Sequence, residues 1–452
     1  MAGSGGFPIA DRAMGEVLFR LPAQAGHGTS ITASKFLASA ARLATELPDG
    51  SFLINLCQNR LHFSVSFAAA MLAGKVTLLT SDRSVSRLRQ LAMQYPGACT
   101  ISEDSQPLGL PHGCVRLSLL EDAAEGAALT FPILAADQLV ATVFTSGSTG
   151  EPIGHEKTWG ALVQRSRAAA LRFGLEPEVP PSLVGTVPGQ HMYGFETTVL
   201  LPLHAPASSW CGPAFYPADV QAALSAVPEP RILITTPLQL RALLQTMDEP
   251  PTIARVISAT APLPPDLAGL AEQRWGSAVW EIFGATEVGS IASRRTTHDP
   301  LWTLYPGVTL DANEERVLVT AEGARPCPLN DVIEPVPEGR FRLLGRPADM
   351  IKLGGRRASL AGLNRILSRI EGVLDGAFVA PEDYEQQPTA RMLTFVVAPY
   401  RTADDILNEL REHIDPVFLP RRVIKVPSLP RNEIGKLSQK ALIALRAHAG
   451  EE

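Results

Sequence analysis

Short apolar runs alternating with amphipathic stretches constrain this 452-residue chain more than any other feature. Strand-like runs occur at 51–56, 76–79, 139–144, 182–187, 231–235, 256–259 and 278–283. Helical periodicity falls between them, at 31–47, 63–74, 157–173, 237–247 and 265–275. The pattern predicts an α/β fold whose large N-terminal domain holds mostly parallel sheets covered by helices. Ligand sites in such sheets lie beyond the carboxyl ends of strands. The character changes near Gly345-Arg346. Helical patterns at 360–370 and 403–413, with strands at 376–379, 392–397 and 422–426, predict a small α+β unit. The expected division is 1–346 for the large domain and 347–452 for a small C-terminal one.

Composition removes several function classes. The net charge is −6 and no dense Lys/Arg run occurs, which argues against nucleic acid or an anionic membrane as a main partner. No apolar run reaches membrane-spanning length. The N-terminus lacks a basic region followed by an apolar core, so it does not read as a secretory signal. The five cysteines (57, 99, 114, 211 and 327) form no C-x-x-C pair. That argues for a reducing, cytoplasmic setting and against a disulfide framework or zinc cluster.

The run at 139–144 leads into Thr145-Ser146-Gly147-Ser148-Thr149-Gly150-Glu151-Pro152, and a helical pattern starts near Lys157. A strand, a hydroxyl-and-glycine loop and a helix suit phosphate. Gly147 and Gly150 let the backbone approach an anion. Exposed N–H groups and the hydroxyls of Thr145, Ser146, Ser148 and Thr149 can donate to its oxygens. The plain alternative is a Ser/Gly surface loop. It is not a Walker motif, which needs a lysine directly after Gly150.

Four other segments carry chemistry. Glu281-Ile282-Phe283-Gly284-Ala285-Thr286-Glu287 ends a strand with a hydroxyl beside a carboxylate, groups suited to phosphate and Mg²⁺. The alternative there is a helix start with Thr286 as cap. Asn330-Asp331 offers a carboxylate able to accept both hydroxyls of a ribose, or is an ordinary turn. Pro188–Glu196 contains His191, Tyr193 and Phe195 after a strand. Lys436, in Leu429–Leu437, is one of only seven lysines in the chain, so its place in a motif is informative.

Together these segments resemble the adenylate-forming superfamily of acyl- and aryl-CoA synthetases, carrier-protein-loading ligases and luciferases. Residues 145–152 are similar to its T-S-G-[ST]-T-G-x-P-K loop, with Ile153 where the family has lysine; His155 and Lys157 follow closely and can supply charge. Residues 283–287 resemble Y-G-x-T-E, and 258–263 resemble S-G-G-A-P-L, with Ala259 and Thr260 replacing the two glycines. The resemblance implies that Thr286 contacts the α-phosphate, Glu287 coordinates Mg²⁺, and Ala259, Thr260, Phe283 and Gly284 flank the adenine of ATP. It further implies that Asp331 binds ribose, Arg346 reaches ribose or phosphates, and Lys352 faces the site in a second pose of the small domain. The family hinge aligns with Ala348, beside Asp349. Lys436 matches the closing P-x-x-x-x-G-K motif and would act on the departing pyrophosphate. His191 would cover the acid's carboxylate, with Tyr193 and Phe195 shaping the pocket.

More narrowly, F-T-S-G-S-T-G-E-P, H-x-K-x-W-G and the compact large domain resemble ligases of bacterial xanthomonadin and aryl-polyene pigment pathways. Those load hydroxybenzoate-type acids onto a separate acyl carrier protein. The expected partners are therefore a small aromatic carboxylic acid and an acyl carrier protein or CoA.

Overall fold

The computed structural model describes residues 5–23, 30–80, 82–103, 114–116, 130–146, 152–247, 249–312, 317–345, 350–353, 356–380, 392–431, 437, 441 and 444–445. Among these, no helix is long and apolar enough to cross a membrane.

The first sheet forms around α1 (Ala33–Glu46), β1 (Phe52–Asn55), α2 (Arg60–Leu72), β2 (Val76–Leu79), β3 (Cys99–Ser102), β4 (Leu139–Ser146) and β5 (Pro152–Thr158). Its strand order is β5-β4-β2-β1-β3, with Cys114–Arg116 at the far edge. Asn59 caps α2 by accepting from Leu61 N at 2.9 Å and His62 N at 3.3 Å. Every residue from Phe63 to Met71 is buried, as expected of a helix enclosed on all sides.

The phosphate-loop segment differs from expectation. The chain does not pass from loop to helix. Residues 152–158 form β5 and pair antiparallel with β4, Ile153 opposite Thr145 and Lys157 opposite Ala141. The loop therefore joins two strands of a hairpin, and α3 (Trp159–Arg172) starts only after Thr158, which caps it. Lys157 is a strand residue on the same face as Ile153 and His155.

The second sheet has eleven strands. Its parallel centre contains β6 (Ser182–Gly185), β7 (Arg231–Thr235), β8 (Arg255–Ser258) and β9 (Ala278–Ala285). Antiparallel pairing begins at β10 (Gly289–Arg294). Residues 286–288 are thus a tight turn between β9 and β10, not the helix start that was the alternative reading. The α/β architecture holds, but the sheets are mixed: parallel where crossover helices join strands and antiparallel where hairpins do.

A helix over residues 192–204 packs against α2, α3 and β6, between the two sheets. Its middle, Phe195–Leu200, is a π-helix. Pro202 has no N–H to offer the carbonyl four residues back. The hydroxyls of Thr197 and Thr198 take up the carbonyls of Tyr193 and Gly194, each at 2.6 Å.

Residues after 350 contribute a hairpin (Met350–Leu353 with Arg356–Ser359), α4 (Leu360–Leu367), a three-stranded sheet and the helix Ala403–His413. Their apolar core, including Leu367, Phe378, Val396, Ile406 and Leu410, draws on no described residue before 351.

Candidate active site

The ends of β4, β8 and β9 bring the predicted segments together. Thr145 and Ser146 close β4. Their side chains, and all of Gly147, Ser148, Thr149 and Gly150, lie outside the described residues, as do Arg346 and Lys436 and the side chain of Lys352. Ile153, standing for the family lysine, is 53% exposed and directs no charge to the loop.

A cation, Lys157, lies four residues beyond Ile153 on the same face of β5. Lys157 is 4% exposed, and its Nζ donates to the Glu287 carbonyl at 2.6 Å. Burial lowers its pKa to about 8, against the opposing pull of Glu196 and Glu287. His155 Nε2 lies 4.0 Å from Glu287 Oε1. The phosphate-loop hairpin is therefore tied to the Thr286-Glu287 turn through β5.

Glu287 itself keeps a carboxylate that is 29% exposed. Mg²⁺ is commonly held by one or two carboxylates plus substrate phosphates, and this arrangement fits that mode. A metal caged by protein alone does not fit, because no group of three His, Cys, Asp or Glu ligands occurs among the described residues.

Beneath the turn, Glu196 is buried and accepts from Ser290 N at 3.0 Å and Ser290 Oγ at 2.6 Å. Burial raises its pKa, offset by Ser290, Arg165 and Lys157. Gly289 is required here. Its φ is +99°, and a Cβ would drive into Glu196 Oε1.

The adenine-side segment follows β8. Ala259 is buried, and Thr260 takes φ +79°. The backbone thus keeps a glycine-like path although both glycines are gone, at a strain of about 1–3 kcal/mol for a non-glycine residue. Glu281 holds the far end of the segment, accepting from Leu263 N at 2.7 Å while paired to Arg294 at 2.8 Å. Thr260→Gly is expected to stabilise the protein by about 1 kcal/mol, strain relief outweighing the added chain entropy. Thermal melting checks this, and a lower melting temperature would show that the threonine side chain stabilises the turn.

Phe283 packs against Trp302 and Phe341, with ring centroids 5.5 and 5.7 Å away. Gly284 is exposed beside it and Thr286 is half-buried in the turn. Asp331 stands at the end of the ladder where Val332 faces Gly345, the last described residue before Arg346.

His191 is half-buried at the head of the 192–204 helix, and burial pushes its pKa down to about 4. It is neutral at pH 7 and can donate a hydrogen bond without presenting a cation. Tyr193 is buried and donates to the Ile257 carbonyl at 2.8 Å. Phe195 is fully buried edge-on against Phe63 and Phe67, a core position. Arg60 donates to Gly185 O and Val187 O at 3.1 and 3.0 Å, fixing the approach to Pro188–His191.

Glu196, Glu281 and Arg60 were assigned no role from sequence, and Lys157 only that of a nearby charge. One available signal was a lysine inside an otherwise uncharged face in a lysine-poor chain. The acidic partners carried none, because their contacts span distant segments.

A pair of mixed α/β sheets carries the candidate nucleotide segments at its strand ends, and the comparisons give the family. Residues 15–333 match the family described as AMP-binding enzyme. A 4-coumarate–CoA ligase from Halorhodospira halophila is 32% identical over 305 residues, covering 66% of this chain and 74% of that one. ATP-bound MatB from Rhodopseudomonas palustris superposes with a TM-score of 0.79 at 20% identity, over 96% of each chain. An anthranilate CoA ligase in complex with anthranoyl-AMP gives 0.79 at 16% identity, over 96% of this chain and 94% of that one. The two structures establish likeness of fold. The chain belongs to the AMP-binding enzyme family. It is an AMP-forming acid–thiol ligase, which activates its acid by adenylation, and the family uses ATP with Mg²⁺ generally required.

Proposed function

We propose that this ligase activates a small aromatic acid of the hydroxybenzoate type in the cytoplasm and passes the acyl group to the phosphopantetheine thiol of an acyl carrier protein. The carboxylate attacks the α-phosphorus of ATP and pyrophosphate leaves. The thiol then attacks the acyl carbon and AMP leaves. The observation that carries the aryl reading is the likeness to a 4-coumarate–CoA ligase, 32% identical over 305 residues. That relative's name favours the second reading of the acceptor, free CoA.

In this reading Thr286 donates to the α-phosphate, Asp331 holds ribose, Arg346 reaches ribose or phosphates, and Ala259, Thr260, Phe283 and Gly284 flank adenine. His191, neutral, covers the acid's carboxylate, and Tyr193 shapes the pocket. Residues 145–150 cradle the phosphates. Glu287 would hold Mg²⁺, which when bound neutralises phosphate charge. Residues 347–452 form a mobile small domain that brings Lys436 in for adenylation and Lys352 for thioester formation.

The test is a pyrophosphate-release screen of benzoates, cinnamates and fatty acids, repeated with CoA and with a carrier protein. The expected result is acid-dependent pyrophosphate and AMP, greatest with a hydroxybenzoate and a carrier protein. ADP and phosphate as products would sink the mechanism, and preference for long fatty acids would sink the aryl assignment. Turnover with CoA and none with any carrier protein would establish the second reading. Nucleotide binding without turnover on any acid would mark a catalytically silent relative, the reading that Ile153 invites.

A further inference from the structure

Behind Tyr193 and the 286–289 turn lies a cavity between α3 and the parallel strands. Its sides are apolar, from Leu183, Ile232, Ile234 and Ile257, while Arg165, Glu196, Ser290 and Tyr305 make its polar end. Ile257 stands between the cavity and Tyr193, whose hydroxyl its carbonyl accepts. Ser290, in the strand Gly289–Arg294, follows the 286–288 turn.

Three polar atoms of its lining residues have no hydrogen-bond partner: Arg165 Nε, Ser166 Oγ and Tyr305 Oη. Their residues are 3%, 2% and 1% exposed. Buried polar atoms are nearly always paired, so orphans gathered at one cavity call for a water or for a polar group of a ligand. Arg165 Nη1 reaches only the Ser290 carbonyl, at 3.4 Å. The Ser290 hydroxyl is committed to Glu196 at 2.6 Å. The space is close to that of a single water molecule, enough for a hydroxyl and too small for a ring.

We propose that this cavity is the distal end of the acid pocket, where Tyr305 and Arg165 receive a hydroxyl on the far side of an aromatic acid. The inference rests on the aryl-acid reading above. A hydroxyl both donates and accepts, so it can satisfy an arginine N–H and a tyrosine hydroxyl together. An acid without it leaves both groups buried and unpaired, which is the condition for strong discrimination. A distal carboxylate would face Glu196, and an alkyl tail would be driven among buried charges. Tyr305 and Arg165 are thus specificity residues for an aryl acid with a polar substituent opposite its carboxyl group.

The experiment compares kcat/KM for 4-hydroxybenzoate, benzoate and terephthalate in wild-type protein and Tyr305→Phe, together with KM for ATP. Wild type should prefer 4-hydroxybenzoate. Tyr305→Phe should reduce that substrate on the order of 10- to 100-fold while leaving benzoate and the ATP KM unchanged. Arg165→Lys, read by calorimetric binding of the two acids, gives the same comparison without turnover and should narrow the preference. Equal loss on both benzoates, or none on either, overturns the inference, and so does a preference for terephthalate. Wild type that activates benzoates without regard to the hydroxyl overturns this inference alone. Wild type that activates no aromatic acid overturns the aryl reading and takes this inference with it.

Discussion

Lys436→Ala is expected to lower the adenylation rate about a hundredfold or more, while thioester formation from a supplied acyl-adenylate survives much better. Lys436 carries a compact charge on a flexible stem, suited to the charge that builds on pyrophosphate as it leaves. Removing a contact made mainly in the transition state costs about 3–4 kcal/mol. The second half-reaction has no departing pyrophosphate, so the two losses should separate. Acid-dependent pyrophosphate release reports the first step, and AMP release from synthetic adenylate plus thiol reports the second. An unchanged first step would contradict the assignment.

The second large effect belongs to Lys157. Lys157→Met keeps the length of the side chain and removes both its bond to the Glu287 carbonyl and its charge near Glu196. Losing a buried hydrogen bond made by a charged donor costs about 1.5–3 kcal/mol. The lower end applies, because Arg165 still faces Glu196 and its carboxyl, already raised by burial, can take a proton. The positioning effect is distinct. With the turn no longer tied to β5, the KM for Mg·ATP should rise about tenfold. Adding Glu196→Gln should restore much of the melting temperature and leave the KM high, so stability and positioning part company in a double-mutant cycle. If the double variant recovers neither, or recovers both together, Lys157 is only a structural residue.

Much of the fold was legible because strands and helices here obey local rules. The helix at 265–275 and those at 33–46 and 403–413 follow from apolar spacing and their flanking residues, as with Thr402, whose hydroxyl caps Asp405 N at 3.2 Å. The 281–287 segment was recognisable as a candidate site because its chemistry is contiguous in the chain. The turn from β9 to β10 was not, since Thr286 and Glu287 suit a helix cap as well as a hairpin. The pairing of Ala285 with Gly289 decided between them.

The 152–158 stretch marks the same limit more sharply. Pro-Ile-Gly-His-Glu-Lys-Thr has no apolar alternation, so nothing local distinguishes strand from helix start, and only the ladder to β4 resolved it. That ladder carried Lys157 from an expected helix start to a buried position beneath Glu287, 130 residues away in the chain. Glu196 meets Ser290 across 94 residues, and Tyr305 and Arg165 converge from segments just as remote. Local periodicity determines which elements form and which face they bury. Buried charges find their partners only when those elements pack, because burial and pairing are properties of the folded arrangement and not of neighbours in the chain.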